Sequence, residues 1–364
     1  MRVAVTVEQS WHVVPGGIAT ATVELLRALA ARGGVDLVGV AARHAEPPPP
    51  DLRPPVEVRQ FALTRRALYV SWQWLRRPVV ERASGRVDVV HDAGYVVPPS
   101  RAPLVATVHD LAFLEYPRHY GWRTLAALRR GMALARREAR LVMCPSQATI
   151  DACRAAGFDP ARLRLVPWGV AAAPVDGAAV DGLRSRYGLD RPYVLFVGTV
   201  EPRKNLPRVL EAFRGLGRDD VLLVLAGPRG WKEDVADAAV DGGVRWLGAV
   251  ARRDLGGLYA GAAAFVYPSL QEGFGLPVLE AMAHGTPVVT SAGTATAEVA
   301  GDAAVLVDPL DADAIAEGVD RVLRDPELSE RLRSRGRVRA GGFTWERSAE
   351  LAMEVYAEAA GSSG

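Results

Sequence analysis

The sequence predicts an α/β protein built of two doubly wound domains, and three features carry that prediction. Short apolar runs alternate with stretches of helical spacing in both halves of the chain, as in parallel sheets whose crossovers are helices. Several runs end at glycine or proline just before a helix start, giving the strand–loop–helix unit whose loop lines the ligand crevice of an open sheet. At 364 residues the chain exceeds one compact core and suits two domains of ordinary size.

Composition narrows the function classes. Charged residues are 24% and hydrophobic residues 49%, as in a soluble globular protein. No apolar run approaches a membrane span, and the opening MRVAVTVEQSW reads as a strand with no signal-peptide cleavage site, so a cytoplasmic location is expected. A net charge of +2 and the lack of any RNA- or DNA-binding motif argue against nucleic acid. Cys144 and Cys153 show no metal-ligand pattern and read as buried thiols. Lys204 and Lys232 are the only lysines beside many arginines, which makes the position of Lys204 informative.

In the first half, 2–7 reads as a strand, 8–17 as a loop containing Pro15-Gly16-Gly17, and 18–31 as a helix stopped by Gly33 and Gly34. The turn is not a GxGxxG fingerprint, which weighs against a dinucleotide oxidoreductase, yet Gly16 and Gly17 at a helix start can offer N–H groups to phosphate. Apolar runs follow at 36–41, 87–91, 104–109, 141–144 and 163–167, and the proline-rich stretch 45–55 reads as an extended surface loop. His109 ends its run and so belongs to the crevice edge, whereas His91 and Asp92 read as structural. The Ala/Gly-rich stretch 170–182 reads as a linker.

The second half opens with PYVLFVGTVEPRKNLPRVLEAF, a buried strand over 193–197, a turn at Gly198 and a helix from Asn205 or Leu206. Arg203 and Lys204 sit beside that helix start, where N–H dipoles, a guanidinium fork and an ammonium all favour a diphosphate. Further strands are expected at 221–226, 244–247, 264–267, 287–290 and 304–307. The third leads into PSLQEGFGLPVLEAMAHGTPVV (268–289), with Pro277 in the first turn of a helix and Gly285 at its end. Glu272, Gly273, Phe274 and Gly275 then occupy a loop at a strand's carboxyl end, with Glu280 just inside the helix. Carboxylates accept hydrogen bonds from hydroxyls and repel phosphate, so this loop suits a sugar or a ribose diol. Asp311-Ala312-Asp313 has the spacing of a metal-binding DxD but opens a helical stretch, where aspartates cap N–H groups.

The strings EGFGLPVLEAMAHGTPVV, GTVEPRKNL and ATVHDLAFLEYP resemble those of the retaining glycosyltransferases of family four, whose E-x(7)-E signature matches Glu272 and Glu280. The resemblance runs from Pro15-Gly16-Gly17 to the last helix and implies a GT-B fold, two Rossmann-like doubly wound domains facing a central cleft. It implies an acceptor-binding domain over 1–170, a linker over 171–190, a nucleotide-sugar domain over 191–344, and a helix over 345–364 crossing back to the first domain. Lys204 and Arg203, with Gly16 and Gly17, would meet the diphosphate. Glu272 and the groups of Gly273, Phe274, Gly275 and Leu276 would hold the sugar, with His109 beside it. Glu280 would hold the ribose, and main-chain groups around Gly248 and Val250 the base. Two positions depart from relatives: Thr199 stands where many carry an arginine, and Trp168 where asparagine is common.

The implied activity is retaining transfer of a hexose, mannose first, from a nucleotide-diphosphate sugar such as GDP-mannose, with no metal and no covalent nucleophile. The acceptor is a glycan, a lipid-linked species or a small metabolite. An epimerase or phosphorylase on the same scaffold and a non-catalytic sugar-nucleotide binder are the other classes. Six arginines flank Tyr69, Trp72 and Trp74 in 64–86, and a second arginine-rich helix spans 121–140; both suit peripheral contact with an anionic inner-membrane face.

Overall fold

The structure, a computed structural model, describes residues 1–12, 16–230 and 243–361, so Pro15 and Lys232 lie outside it. The chain forms two compact units, Met1–Gly169 with Trp345–Gly364, and Val170–Thr344.

The first unit is built on seven strands: β1 (Arg2–Thr6), β2 (Asp36–Ala41), β3 (Glu57–Gln60), β4 (Val89–Asp92), β5 (Leu104–Thr107), β6 (Leu141–Cys144) and β7 (Leu163–Leu165). They pair in parallel in the order β3-β2-β1-β4-β5-β6-β7. β4, β5 and β6 are buried along their whole length, because helices cover both faces; this is why their sequences are unbroken apolar runs. β3, reading EVRQ, is the exception: an edge strand with three of its four residues exposed, it lacks the apolar run that marks the others. The strand order reverses between β1 and β4, and the loops leaving these two strands flank that switch point.

The last helix, Trp345–Gly361, belongs to this unit and packs along the helix Gly16–Arg32. Ser348 Oγ donates to Pro167 O at 2.6 Å, and Tyr356 Oη meets His91 Nδ1 at 2.8 Å. His91 Nε2 in turn lies 2.7 Å from Thr107 Oγ1, so His91 is spent on tying this helix to the sheet. Burial holds its imidazole near a pKa of about 3, hence neutral at pH 7. Cys144 and Cys153 are buried free thiols, their sulfurs 3.9 Å apart.

The second unit carries β8 (Tyr193–Val197), β9 (Leu222–Ala226), β10 (Val244–Gly248), β11 (Ala264–Tyr267), β12 (Val288–Ser291) and β13 (Ala304–Val307), all parallel, in the order β10-β9-β8-β11-β12-β13. Its switch point falls between β8 and β11. The stretch expected as a linker contains a helix, Gly177–Tyr187, which belongs to this unit. Asp176 caps it by accepting from Ala179 N at 2.7 Å, and Gly188 ends it at φ 63°. Leu183 packs so closely on Gly257 that a Cβ there would lie 2.0 Å from Leu183 Cδ1. A single well-placed leucine anchors a helix whose alanines and glycines suggest none. Asp311 caps the helix Ala312–Arg324, accepting from Asp313 N at 2.9 Å and Ala314 N at 3.1 Å.

The loops leaving β8 and β9 run side by side: Gly198 N donates to Ala226 O at 2.9 Å and Val200 N to Pro228 O at 3.1 Å. A Cβ on Gly227 would lie 1.8 Å from Gly198 O, a backbone atom that cannot swing aside. Gly227→Ala is therefore expected to cost about 1–3 kcal/mol of stability, the usual scale of overpacking. Urea unfolding checks this, and an unchanged midpoint would contradict it.

Candidate active site

The switch point of the second unit explains why residues 68 positions apart meet. β8 and β11 are hydrogen-bonded neighbours, and the loop leaving each starts at the same sheet edge. After β8 the chain reaches Gly198 and Thr199, then a short turn Pro202–Lys204, then Asn205 in left-handed geometry (φ 61°), and then the helix Leu206–Gly215. Asn205 holds this turn against the neighbouring loops, its Nδ2 donating to Pro268 O at 3.0 Å and Pro309 O at 2.6 Å. After β11 come Ser269, Glu272, Gly273 and Phe274, then Gly275 at φ 106°, which opens the helix Leu276–Ala283. A Cβ on Gly275 would lie 2.8 Å from Thr296 Cγ2 in a backbone region that side chains avoid, so glycine is required there.

Glu272 is the centre of the cluster. Its side chain is 9% exposed, and Oε1 takes hydrogen bonds from the Lys204 ammonium, from Tyr267 Oη at 2.9 Å and from Ser269 Oγ at 2.9 Å. Oε2 pairs with Arg203 Nη1 at 3.0 Å, and Arg203 Nε also pairs with Glu201 at 2.7 Å. Lys204 donates to Tyr267 Oη as well, and its ammonium lies 4.9 Å from the centre of that ring. Burial alone would raise the Glu272 carboxyl, but Arg203, Lys204 and the donated hydrogen bonds outweigh it and hold it at about 2. The two cations, Arg203 and Lys204, are thus brought together, each paired with a carboxylate; Tyr267 and Ser269, which close the network, carry no motif signal.

Glu280 keeps different company. Tyr259 Oη, on the helix Arg252–Ala260, donates to its Oε2 at 2.9 Å, and burial raises its carboxyl above the ordinary range against that hydrogen bond and the charge of Arg252. The turn bearing Gly248 (φ 69°) and Val250 leads into this same helix, and Gly248 O accepts from Gly227 N at 2.8 Å. Phe274 is buried and meets Phe343 edge-on at 5.8 Å, so its ring serves packing. Leu276 is buried at the helix start.

In the first unit, Gly16 at φ 59° opens the helix Gly16–Arg32, and both Gly16 and Gly17 are exposed. His109 lies two residues past β5, buried, with Nε2 at 2.9 Å from Ala93 O. A carbonyl can only accept, so Nε2 carries the proton and Nδ1 is left as a lone pair; no protein group among the described residues meets it. Burial lowers the His109 pKa, against the Ala93 bond and Asp110, which keeps that lone pair free at neutral pH. Trp168 packs on His109 with ring centres 5.4 Å apart and so shapes the surroundings of the histidine.

Residues 15–173 match the family model described as Glycosyltransferase Family 4, and residues 184–339 the one described as Glycosyl transferases group 1. The chain is 32% identical over 280 residues to the O-antigen chain mannosyltransferase B of Escherichia coli, covering 74% of each. It is 31% identical over 388 residues to a D-inositol 3-phosphate glycosyltransferase of Xylanimonas cellulosilytica, covering 94% of this chain and 92% of that one. Sucrose-phosphate synthase from Thermosynechococcus elongatus shares its fold with a TM-score of 0.78 at 23% identity, over 98% of both chains. The family models and curated relatives make the protein a glycosyltransferase, and its two parallel-sheet α/β domains give it the GT-B fold. It belongs to glycosyltransferase family 4.

The depressed Glu272 pKa fixes the sign of a pH effect. The stability this group supports is complete above its ordinary value of 4.5 and is lost as pH falls toward about 2. Over that window the wild type should lose stability more steeply than Glu272→Gln, as measured by denaturant titration at stepped pH. Parallel curves would contradict the assignment.

Proposed function

We propose that the protein is a retaining glycosyltransferase that moves a hexose, mannose first, from a nucleotide-diphosphate sugar to an acceptor hydroxyl in glycan or glycolipid synthesis. The observation that carries the reading is the Lys204–Glu272–Arg203 cluster at the switch point of the second unit. An ammonium has three N–H groups; among the described residues Glu272 and Tyr267 take two, which leaves the third for a phosphate oxygen. The Gly275 and Leu276 amides, which precede Pro277 at the start of the helix Leu276–Ala283, favour the same anion, and Thr199 lies in the turn leading to Lys204. Gly16 and Gly17, exposed at the start of their helix, offer amides to the same chemistry. In this reading Lys204 and Arg203 stabilise the charge on the departing diphosphate.

Glu272 is an unsuitable nucleophile. Oε1 already accepts three hydrogen bonds and the group is a weak base, which supports same-face attack by the acceptor hydroxyl with the leaving phosphate taking its proton. Oε2, with Arg203 as its one protein donor among the described residues, keeps a lone pair for a sugar hydroxyl. His109 would accept from another hydroxyl through Nδ1. Glu280 holds the ribose through Oε1, with Tyr259 fixing the other oxygen, and Gly248 and Val250 border the base. GDP-mannose is the first donor to test, because the E. coli relative is a mannosyltransferase. A thermal-shift screen of GDP-, UDP- and dTDP-sugars reads donor choice directly, since a ligand that binds the native state raises its stability. Donor consumption without any acceptor would instead favour an epimerase or phosphorylase.

Lys204→Ala should lose at least ~2 kcal/mol of transition-state stabilisation, seen as a fall in kcat at saturating donor, whereas Glu280→Ala should act mainly on donor affinity. A wild-type kcat in the first variant or unchanged donor affinity in the second would refute these roles. EDTA should leave turnover intact, given that side-chain cations and amides meet the diphosphate and Asp311 is spent on a helix cap. Activity lost to EDTA and restored by manganese would overturn that part of the reading.

A further inference from the structure

The first unit carries an apolar surface that its own core does not explain. Of the three aromatics in the arginine-rich stretch after β3, two turn inward. Trp72 is buried and donates its indole N–H to Pro78 O at 2.9 Å, and burial keeps the Tyr69 hydroxyl protonated. Trp74 and Leu75 turn outward, 64% and 70% exposed, beside exposed Val70. They end a helical segment, Arg65–Val70 continued by the wider turn Ser71–Leu75, on which Arg66, Val70 and Trp74 recur every four residues along one side.

This segment packs against the helix Trp122–Glu138. Gln73 Nε2 donates to Ala127 O at 3.1 Å, Arg130 Nε donates to Gln73 O at 3.1 Å, and the Arg130 guanidinium lies 5.2 Å from the centre of the Trp74 ring. The same helix begins with Trp122, 75% exposed, its ring 5.0 Å from the Arg123 guanidinium. Two exposed tryptophans, each with an arginine against it, therefore stand on adjoining elements with exposed Arg66, Arg77, Arg123 and Arg129 among them. The one acid in these two elements, Glu138, is already paired with Arg76 and Arg137. Both elements follow strands whose carboxyl ends face the ligand side of the sheet, and Trp122 stands at the end of its helix nearest that side.

We infer that this face docks on an anionic lipid bilayer and that the acceptor is lipid-linked. Indole rings settle at the headgroup level, guanidinium forks bind lipid phosphates, and these two elements, whose one acid is paired, carry an excess of positive charge toward them. The inference deepens the reading above by naming the acceptor class, and it would place the acceptor side of the sheet next to the membrane that supplies the acceptor.

The test is sedimentation of the full chain with phosphatidylcholine vesicles, with and without phosphatidylglycerol, at low and high salt, beside the double variants Trp74→Ser/Trp122→Ser and Arg123→Gln/Arg129→Gln. Expected is salt-sensitive binding to the anionic vesicles alone, weakened at least about tenfold in both variants. The substituted side chains are exposed, so melting temperatures should match the wild type. Donor-induced thermal stabilisation is read in parallel, so the docking face and the glycosyltransferase reading can fail separately. No binding to anionic vesicles, or binding that both variants retain, would overturn the inference. So would self-association through this face, seen as a dimer that the tryptophan variant dissolves without any vesicle binding in the wild type.

Discussion

A buried carboxylate surrounded by donors organises the second unit. Glu272 would be costly to bury alone, and Lys204 and Arg203 would be costly to hold side by side; together, with Glu201, they form a neutral set of two acids and two bases. Tyr267 and Ser269 complete the hydrogen bonding, so the set can sit within a low-dielectric surround without an orphaned charge. The left-handed turn at Asn205, the tight glycine at Gly275 and the parallel pairing of β8 with β11 all serve to bring these groups within reach of one another. Such a network is preorganised: its charged groups are fixed and largely desolvated by one another.

The order of the strands turns this local cluster into a site. In a doubly wound sheet, loops that diverge at the reversal of strand order leave a crevice, and in the second unit the two loops that do so carry Lys204 and Glu272. The first unit repeats the arrangement with β1 and β4. There the two histidines at the sheet edge are held differently: His91 is tied on both ring nitrogens, while His109 is tied on one. Two neighbouring histidines of similar appearance thus differ in whether a lone pair is left over.

Much of the fold is legible in the sequence because parallel strands buried on both faces must be continuous apolar runs: 141–144, 193–197 and 264–267, buried throughout, are read with the bounds the strands have, as are the partly exposed 36–41 and 304–307, whose sequences stay largely apolar. The edge strand Glu57–Gln60 was illegible for the complementary reason, since an exposed strand needs no apolar run. The helix Gly177–Tyr187 was hidden by its alanines and glycines, and tertiary packing of Leu183 on Gly257 overrode that composition. For the candidate site, Glu272, Glu280 and Lys204 stood out by spacing and by their strand-end positions. Their pairing did not, because an ion pair between residues 204 and 272 depends on which strands are neighbours. Tyr259 and Tyr267 were equally silent, each reading as one more apolar residue at the end of a helix or strand.

The central claim is that the Lys204–Glu272–Arg203 set is a preformed seat for a diphosphate. A crystal structure with a nucleoside diphosphate bound tests it most directly. The account predicts diphosphate oxygens within hydrogen-bond distance of Lys204 Nζ and of the amides that open the helix Leu276–Ala283, with Tyr267 still holding Glu272. A diphosphate bound elsewhere, with the Lys204–Glu272 pair closed and untouched, would contradict it.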